Sequence, residues 1–136
     1  MSSFRIFDIA GSGMSAQSVR LNTVASNLAN ADSVSSTPQG VYRARHPVFQ
    51  ALLGGAGDPA SASVGVAGIV ESPAAAASHY DPGNPLADAQ GYVYASGVNV
   101  VEEMTDMISA SRSYQNNVEV LSTTRDLMLA TLKLGQ

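Results

Sequence analysis

Cysteine and tryptophan are both missing from the 136 residues. Without cysteine there is no disulfide, no thiolate nucleophile and no zinc–thiolate site. Positive charge is scarce, with 7 Lys and Arg against 11 Asp and Glu and a formal net charge of -4. Nucleic acid is thereby excluded as the main partner, because phosphate binding needs clustered cations. No apolar run reaches the roughly 18 residues that mark a membrane-spanning helix. No cationic stretch leads into a long apolar core at the start, so no cleavable secretory signal is expected. Two histidines, His46 and His79, are too few for a His-rich metal site. Large apolar side chains are thin as well: Leu, Ile, Val and Phe together number 31, little above the roughly one-fifth at which chains stay disordered. Their placement therefore matters more than their number.

Two segments carry helical periodicity. Across residues 6–31, a seam of Phe7, Ala10, Met14, Gln17, Leu21, Val24, Leu28 and Ala31 alternates steps of three and four, broken only at Gln17. Gly11 and Gly13 weaken this helix by about 1 kcal/mol each relative to Ala, and they permit a close backbone approach. Asn27, Asn30 and Asp32 suit the end of a helix. A second helix is expected over residues 98–135, a rod roughly 50 Å long at 1.5 Å per residue. Its seam runs Val100, Met104, Met107, Ser111, Tyr114, Val118, Leu121, Arg125, Met128 and Leu132, with Ile108, Leu127 and Leu129 beside it. Glu102, Glu103 and Asp106 open it and Lys133 lies near its end, which complements the helix dipole.

Between the helices, residues 33–97 hold all 6 prolines and most of the glycines. Strands are expected at 41–45, 64–70 and 92–95, where β-branched and aromatic residues cluster, and loops at 54–59 and 81–85. The fold class expected is mainly α with a small β-rich insertion, the terminal helices paired as an antiparallel coiled coil. Residues 1–32 and 98–136 then form one discontinuous helical unit around an insertion at 33–97. The apolar flank of the second helix exceeds what the first covers, so other chains are expected to bury it. Phe7, Met14, Leu21, Val24 and Leu28 on the first helix are the candidate subunit-interface residues there. On the second they are Val100, Met104, Met107, Ile108, Tyr114, Val118, Leu121, Met128 and Leu132, with Val118 and Leu121 as expected hot spots.

Candidate chemistry is sparse. Gly11-Ser12-Gly13-Met14-Ser15-Ala16 matches the dinucleotide-binding G-x-G-x-x-G/A pattern, with Asp32 some way on. Helix-ending chemistry surrounds Asp32, however, and no strand–helix–strand units follow, so helix packing is the better reading. Asp81 and Asp88 flank a Pro/Gly loop and read as turn formers, not as an acid/base pair. No G-x-S-x-G elbow supports a serine triad, and Arg43, Arg45 and His46 read as a solvated strand edge or an intersubunit ion-pair site. No catalytic, cofactor-binding or metal-binding residue is assigned, and no cofactor is expected.

With these residues assembled, the sequence resembles the bacterial flagellar basal-body rod protein family, its proximal-rod members above all. The opening residues 6–12 and the run 25–33, Ala-Ser-Asn-Leu-Ala-Asn-Ala-Asp-Ser, carry the likeness, with Asn27, Leu28 and Asn30 at its centre. So do Tyr42 and Phe49, then Tyr80, Pro82, Gly91 and Tyr92, and the run from Asn99 through Tyr114 to the terminus. The resemblance implies a structural part of the motor's drive shaft and no enzyme. It implies export through the flagellar type III machinery without a cleaved signal, and assembly in the periplasm with terminal helices lining a tube. Other copies of the chain, FliE, FlgB and FlgF subunits and a rod cap are the implied partners. A helical export chaperone or adaptor, holding a secreted client in the cytoplasm, shares the acidic charge and amphipathic helices and is the alternative.

Overall fold

A computed structural model of the chain describes residues 3–53 and 62–134. The loop expected at 54–59 lies outside the described residues. Two long helices, α1 (Ser3–Ala29) and α2 (Val100–Leu134), bracket two small antiparallel sheets. No helix among the described residues is long and apolar enough to cross a membrane.

α1 stops where asparagine competes for the backbone. The Asn30 side chain donates to the Ser26 carbonyl at 2.8 Å, and Ser33 Oγ donates to the Asn30 carbonyl at 2.7 Å. α2 starts on an N-cap: Asn99 Oδ1 accepts from the Val101 amide at 3.1 Å and the Glu102 amide at 3.5 Å. Glu102 and Glu103 lie in its first turn and Lys133 in its last, each at the favourable end of the helix dipole. The two helices run antiparallel against each other, since Arg20 of α1 meets Asp106 of α2 and Gly13 meets Asn117.

Of the insertion's strands, β1 (Val34–Ser35), β4 (Ala77–Tyr80) and β5 (Tyr92–Ala95) form one sheet in the order β1-β5-β4. β2 (Arg45–Leu52) and β3 (Ser63–Glu71) form a separate hairpin with a register shift between Val48 and Phe49. The strands expected at 64–70 and 92–95 are present as β3 and β5. The one expected at 41–45 is not: residues 41–44 are irregular, with Val41 and Ala44 buried, and the strand begins at Arg45. Buried apolar side chains imitate a strand pattern there, and only the Ala44 carbonyl, which accepts from the Ser72 amide at 2.7 Å, extends the pairing of the hairpin. β1 and β4 are too short and too small-residued to signal in the sequence. Pro47 sits in β2, tolerated because a two-stranded hairpin leaves each strand a free edge.

The loop between β4 and β5 is organised by one carboxylate. Asp88 Oδ1 accepts from the amides of Tyr92 and Gln90, both at 2.9 Å, and Oδ2 accepts from the Tyr94 hydroxyl at 3.1 Å. Gly91 adopts φ 86°, and a Cβ there would lie 2.9 Å from the Tyr80 ring. Tyr80 and Tyr92 meet edge to face at 5.3 Å. The Tyr92 amide chiefly, then those of Gln90 and Gly91 with the Tyr94 hydroxyl, outweigh partial desolvation and hold the Asp88 carboxyl below its ordinary 3.8. The same bond raises the Tyr94 phenol. A depressed carboxylate favours the folded loop at all pH above its unfolded value, and that contribution drains as pH falls through the lower folded value. The tyrosine band of the near-UV circular dichroism, free of tryptophan overlap in this chain, is expected to show an acid-side step that Asp88→Asn removes.

Candidate assembly surface

The face that α2 turns to α1 follows a three-and-four spacing: Glu103, Met107, Ala110, Tyr114, Asn117 and Leu121 are its buried or half-buried positions. On α1, Gly13 and Arg20 meet α2 directly, with Ala10, Gln17 and Val24 buried or half-buried along the same helix. The expected seam holds in part. Met107, Tyr114 and Leu121 stay half-buried, as do Met14, Leu21, Leu28 and Ser111. Met104 and Val118 do not: both are exposed, and Glu103, Ala110 and Asn117 lie inward instead.

The displacement has a steric cause. Small side chains let the helix axes come close, and a Cβ on Gly13 would already stand 2.9 Å from the Asn117 amide nitrogen. The Arg20 guanidinium reaches Asp106 at 2.8 Å, a half-exposed pair contributing about 0.2–1 kcal/mol. Gln17 Oε1 and Glu103 Oε2 are enclosed with no hydrogen-bond partner among the described residues. The seam thus mixes polar groups with Met107, Tyr114 and Leu121, while Met104, Ile108 and Val118 stand outside it.

Among the described residues the buried apolar core consists of Ala10, Ala16, Val24, Val41, Ala44, Val93 and Ala110, with nothing bulkier than valine. Outside lie Val100, Met104 at 52% exposure, Ile108 at 55%, Val118, Leu127, Leu129 and Leu132 at 68%. Phe7, Met14, Leu21, Leu28, Met107, Tyr114, Leu121 and Met128 are half-buried along the edges of the pair. Val24 is 2% exposed and enclosed by its own chain. It serves internal packing and cannot meet a neighbour in this conformation. From the register of Gly13 on Asn117 and Arg20 on Asp106, the last two turns of α2 run past the start of α1. Leu127, Leu129, Leu132 and Leu134 stand exposed there.

The family-signature residues gather in two places. Asn27 meets Tyr42, whose hydroxyl donates to Asn27 Oδ1 at 2.9 Å. Asn27 lies inside α1 and reaches out of it, where a helix-ending role was expected. Asn30 does cap. Tyr80, Pro82, Gly91 and Tyr92 meet around the left-handed glycine. Phe49 lies exposed on the hairpin. Arg45 extends over the Tyr42 ring at 5.8 Å and toward Glu71 of the facing strand at 3.4 Å, so its partners lie within the chain. Gly11-Ser12-Gly13 sits in the middle of α1, where the helix's own hydrogen bonds occupy the amides that a pyrophosphate would need. Asp81 accepts from the Asn84 side chain and Asp88 caps its own loop, both as turn formers. Arg20, Asn117 and Ser96, which ties β5 back to the Ala31 carbonyl, escaped the sequence reading. The polar break at Gln17 is the available signal.

Residues 7–35 match the family described as "Flagella basal body rod protein", and residues 89–134 match "Flagellar basal body rod FlgEFG protein C-terminal". Across all 136 residues and all of each relative, the chain is 55% identical to the flagellar basal-body rod protein FlgC of Escherichia coli O6:H1. It is 54% identical to that of Salmonella typhimurium over the same full lengths. The Aquifex aeolicus protein of that name is 43% identical over 135 residues, 98% of this chain and 97% of the relative. The chain belongs to the FlgC family of flagellar basal-body rod proteins. The first match covers α1 and the second α2 with β5, so the family likeness is strongest in the helix pair and the strand feeding it.

Gly13 tests the close approach. Gly13→Ala gains about 1 kcal/mol of helix propensity against a flexible Asn117 amide that can swing aside, so thermal stability should hold or rise. Gly13→Leu must force the helices apart and should cost about 1–3 kcal/mol, read as a lowered Tm.

Proposed function

We infer that this chain is a structural, non-catalytic subunit of the flagellar proximal rod, which polymerises through its terminal helices and transmits torque across the periplasm. The observation that supports this most is the inverted burial: alanine, glycine and valine inside, methionine, isoleucine and leucine outside. A soluble domain standing alone buries its largest apolar side chains first. At roughly 25 cal/mol per Å², covering those side chains with neighbouring chains is the largest stabilisation still available to the subunit.

In this reading Met104, Ile108, Val118 and Leu132, joined by Val100, form the outward row of α2 that locks onto neighbours. Phe7, Met14, Leu21 and Leu28 with Met107, Tyr114, Leu121 and Met128 fill the edges between helix pairs. Those contacts extend the antiparallel pair into coiled-coil packing between subunits. Residues 1–32 and 98–136 act as the helical core unit, and residues 33–97 pack outside it. The resemblance adds other copies of this chain and FliE, FlgB and FlgF subunits as neighbours. It also adds a rod cap and passage through the type III export gate. A cytoplasmic chaperone is not favoured, because the full-length relatives are rod proteins.

Ile108 separates assembly from folding, since its side chain points away from α1. Ile108→Asp should leave the subunit folded and exported yet abolish swimming. Each copy would lose a buried contact of about 2 kcal/mol or more. Cell fractionation and a soft-agar assay provide the readout, and undiminished swimming with the mutant chain in purified basal bodies would contradict the assignment.

A further inference from the structure

The hairpin of β2 and β3 lies along α1, with both strands against the helix but not flush with it. Two clefts separate them. One, of about 260 Å³, is lined by Val19, Asn22, Thr23, Ser26, Arg45 and Ile69. The other, of about 300 Å³, lies by Arg20, Val24, His46, Pro47 and Phe49. Val48, Val66, Ile69 and Val70 remain exposed, so the apolar contact with α1 is incomplete. Two polar contacts reinforce it. At one end Ser12 Oγ accepts from the Val64 amide at 3.1 Å. At the other, Asn27 is wholly buried, and its carboxamide pairs with the backbone of Arg45 as a neighbouring strand residue would. Nδ2 donates to the Arg45 carbonyl at 2.9 Å, and Oδ1 accepts from the Arg45 amide at 2.9 Å. The second lone pair of Oδ1 takes the Tyr42 hydroxyl.

We propose that Asn27 is the positioning residue that seats the β2–β3 hairpin along α1, so that the hairpin and the helix pair move as one body. The chemistry is demanding. The site needs a donor and a double acceptor on one planar group at that reach. A carboxylate cannot donate to the Arg45 carbonyl, and an aliphatic side chain satisfies neither backbone group. The chain enters β2 directly at Arg45, so the clamp sets the direction in which the strand leaves the helix. This goes beyond the shaft reading: the seating belongs to a single chain and does not depend on how chains assemble.

The absence of cysteine makes the seating directly measurable. In the full chain, expressed in cells, a Ser12→Cys/Val64→Cys pair reports whether the hairpin tip rests on α1, and a Gly13→Cys/Asn117→Cys pair reports the helix pair. Mild oxidation should close both bonds rapidly when Asn27 is present. Asn27→Asp should slow the hairpin bond by about tenfold or more and leave the helix bond unchanged. Tyr42→Phe removes one of the clamp's hydrogen bonds and should slow the hairpin bond alone by about threefold. Equal hairpin closure with and without Asn27 overturns the proposal. Should both bonds slow together in Asn27→Asp, Tyr42→Phe decides: selective slowing of the hairpin bond supports the clamp, and no change or uniform slowing refutes it.

Discussion

The close approach of α1 and α2 governs the rest of the molecule. Glycine and alanine at Gly13, Ala10 and Ala110 bring the helices together, and a contact so narrow has room only for small or flat side chains. Met104, Ile108 and Val118 of α2 consequently stand outside the pair, while Met107, Tyr114 and Leu121 stay half-buried at it. Helices that met through leucines would have satisfied themselves and left a polar exterior. Here the order is reversed, and the apolar surface remains for other chains.

The polar content of the seam fits the same logic. Arg20 with Asp106 fixes the register of the pair at modest energetic gain, because both groups are partly solvated. Gln17 and Glu103 each enclose an oxygen without a partner, which weakens the pair further. Specific but weakly self-sufficient pairing suits a part that becomes stable in a polymer. The insertion is attached at the other end of α1 by hydrogen bonds as well as by packing, through Asn27 to Arg45 and through Ser96 to Ala31 and Ser33.

Much of this was legible beforehand, and what was not has identifiable causes. The two helices announce themselves because long amphipathic periodicity survives single exceptions. β3 and β5 were found where β-branched and aromatic residues concentrate. The sequence pattern misplaces Met104 and Val118, because it takes large apolar residues to face inward. That rule holds for a chain that folds for itself, and Met104 and Val118 break it by facing away from α1. Val41 and Ala44 misled in the opposite way, as buried residues of an irregular segment. Asn27 read as a helix terminator, since nothing in one dimension reveals that its side chain would meet Arg45, 18 residues on.

Where the outward row of α2 ends up decides how the subunits are joined. An image of the intact basal body at side-chain resolution settles this most directly. The prediction is that Met104, Ile108, Val118 and Leu132 are each enclosed by a neighbouring chain. If those four side chains face open water in the assembled shaft, with contacts between subunits made elsewhere, the central claim is contradicted.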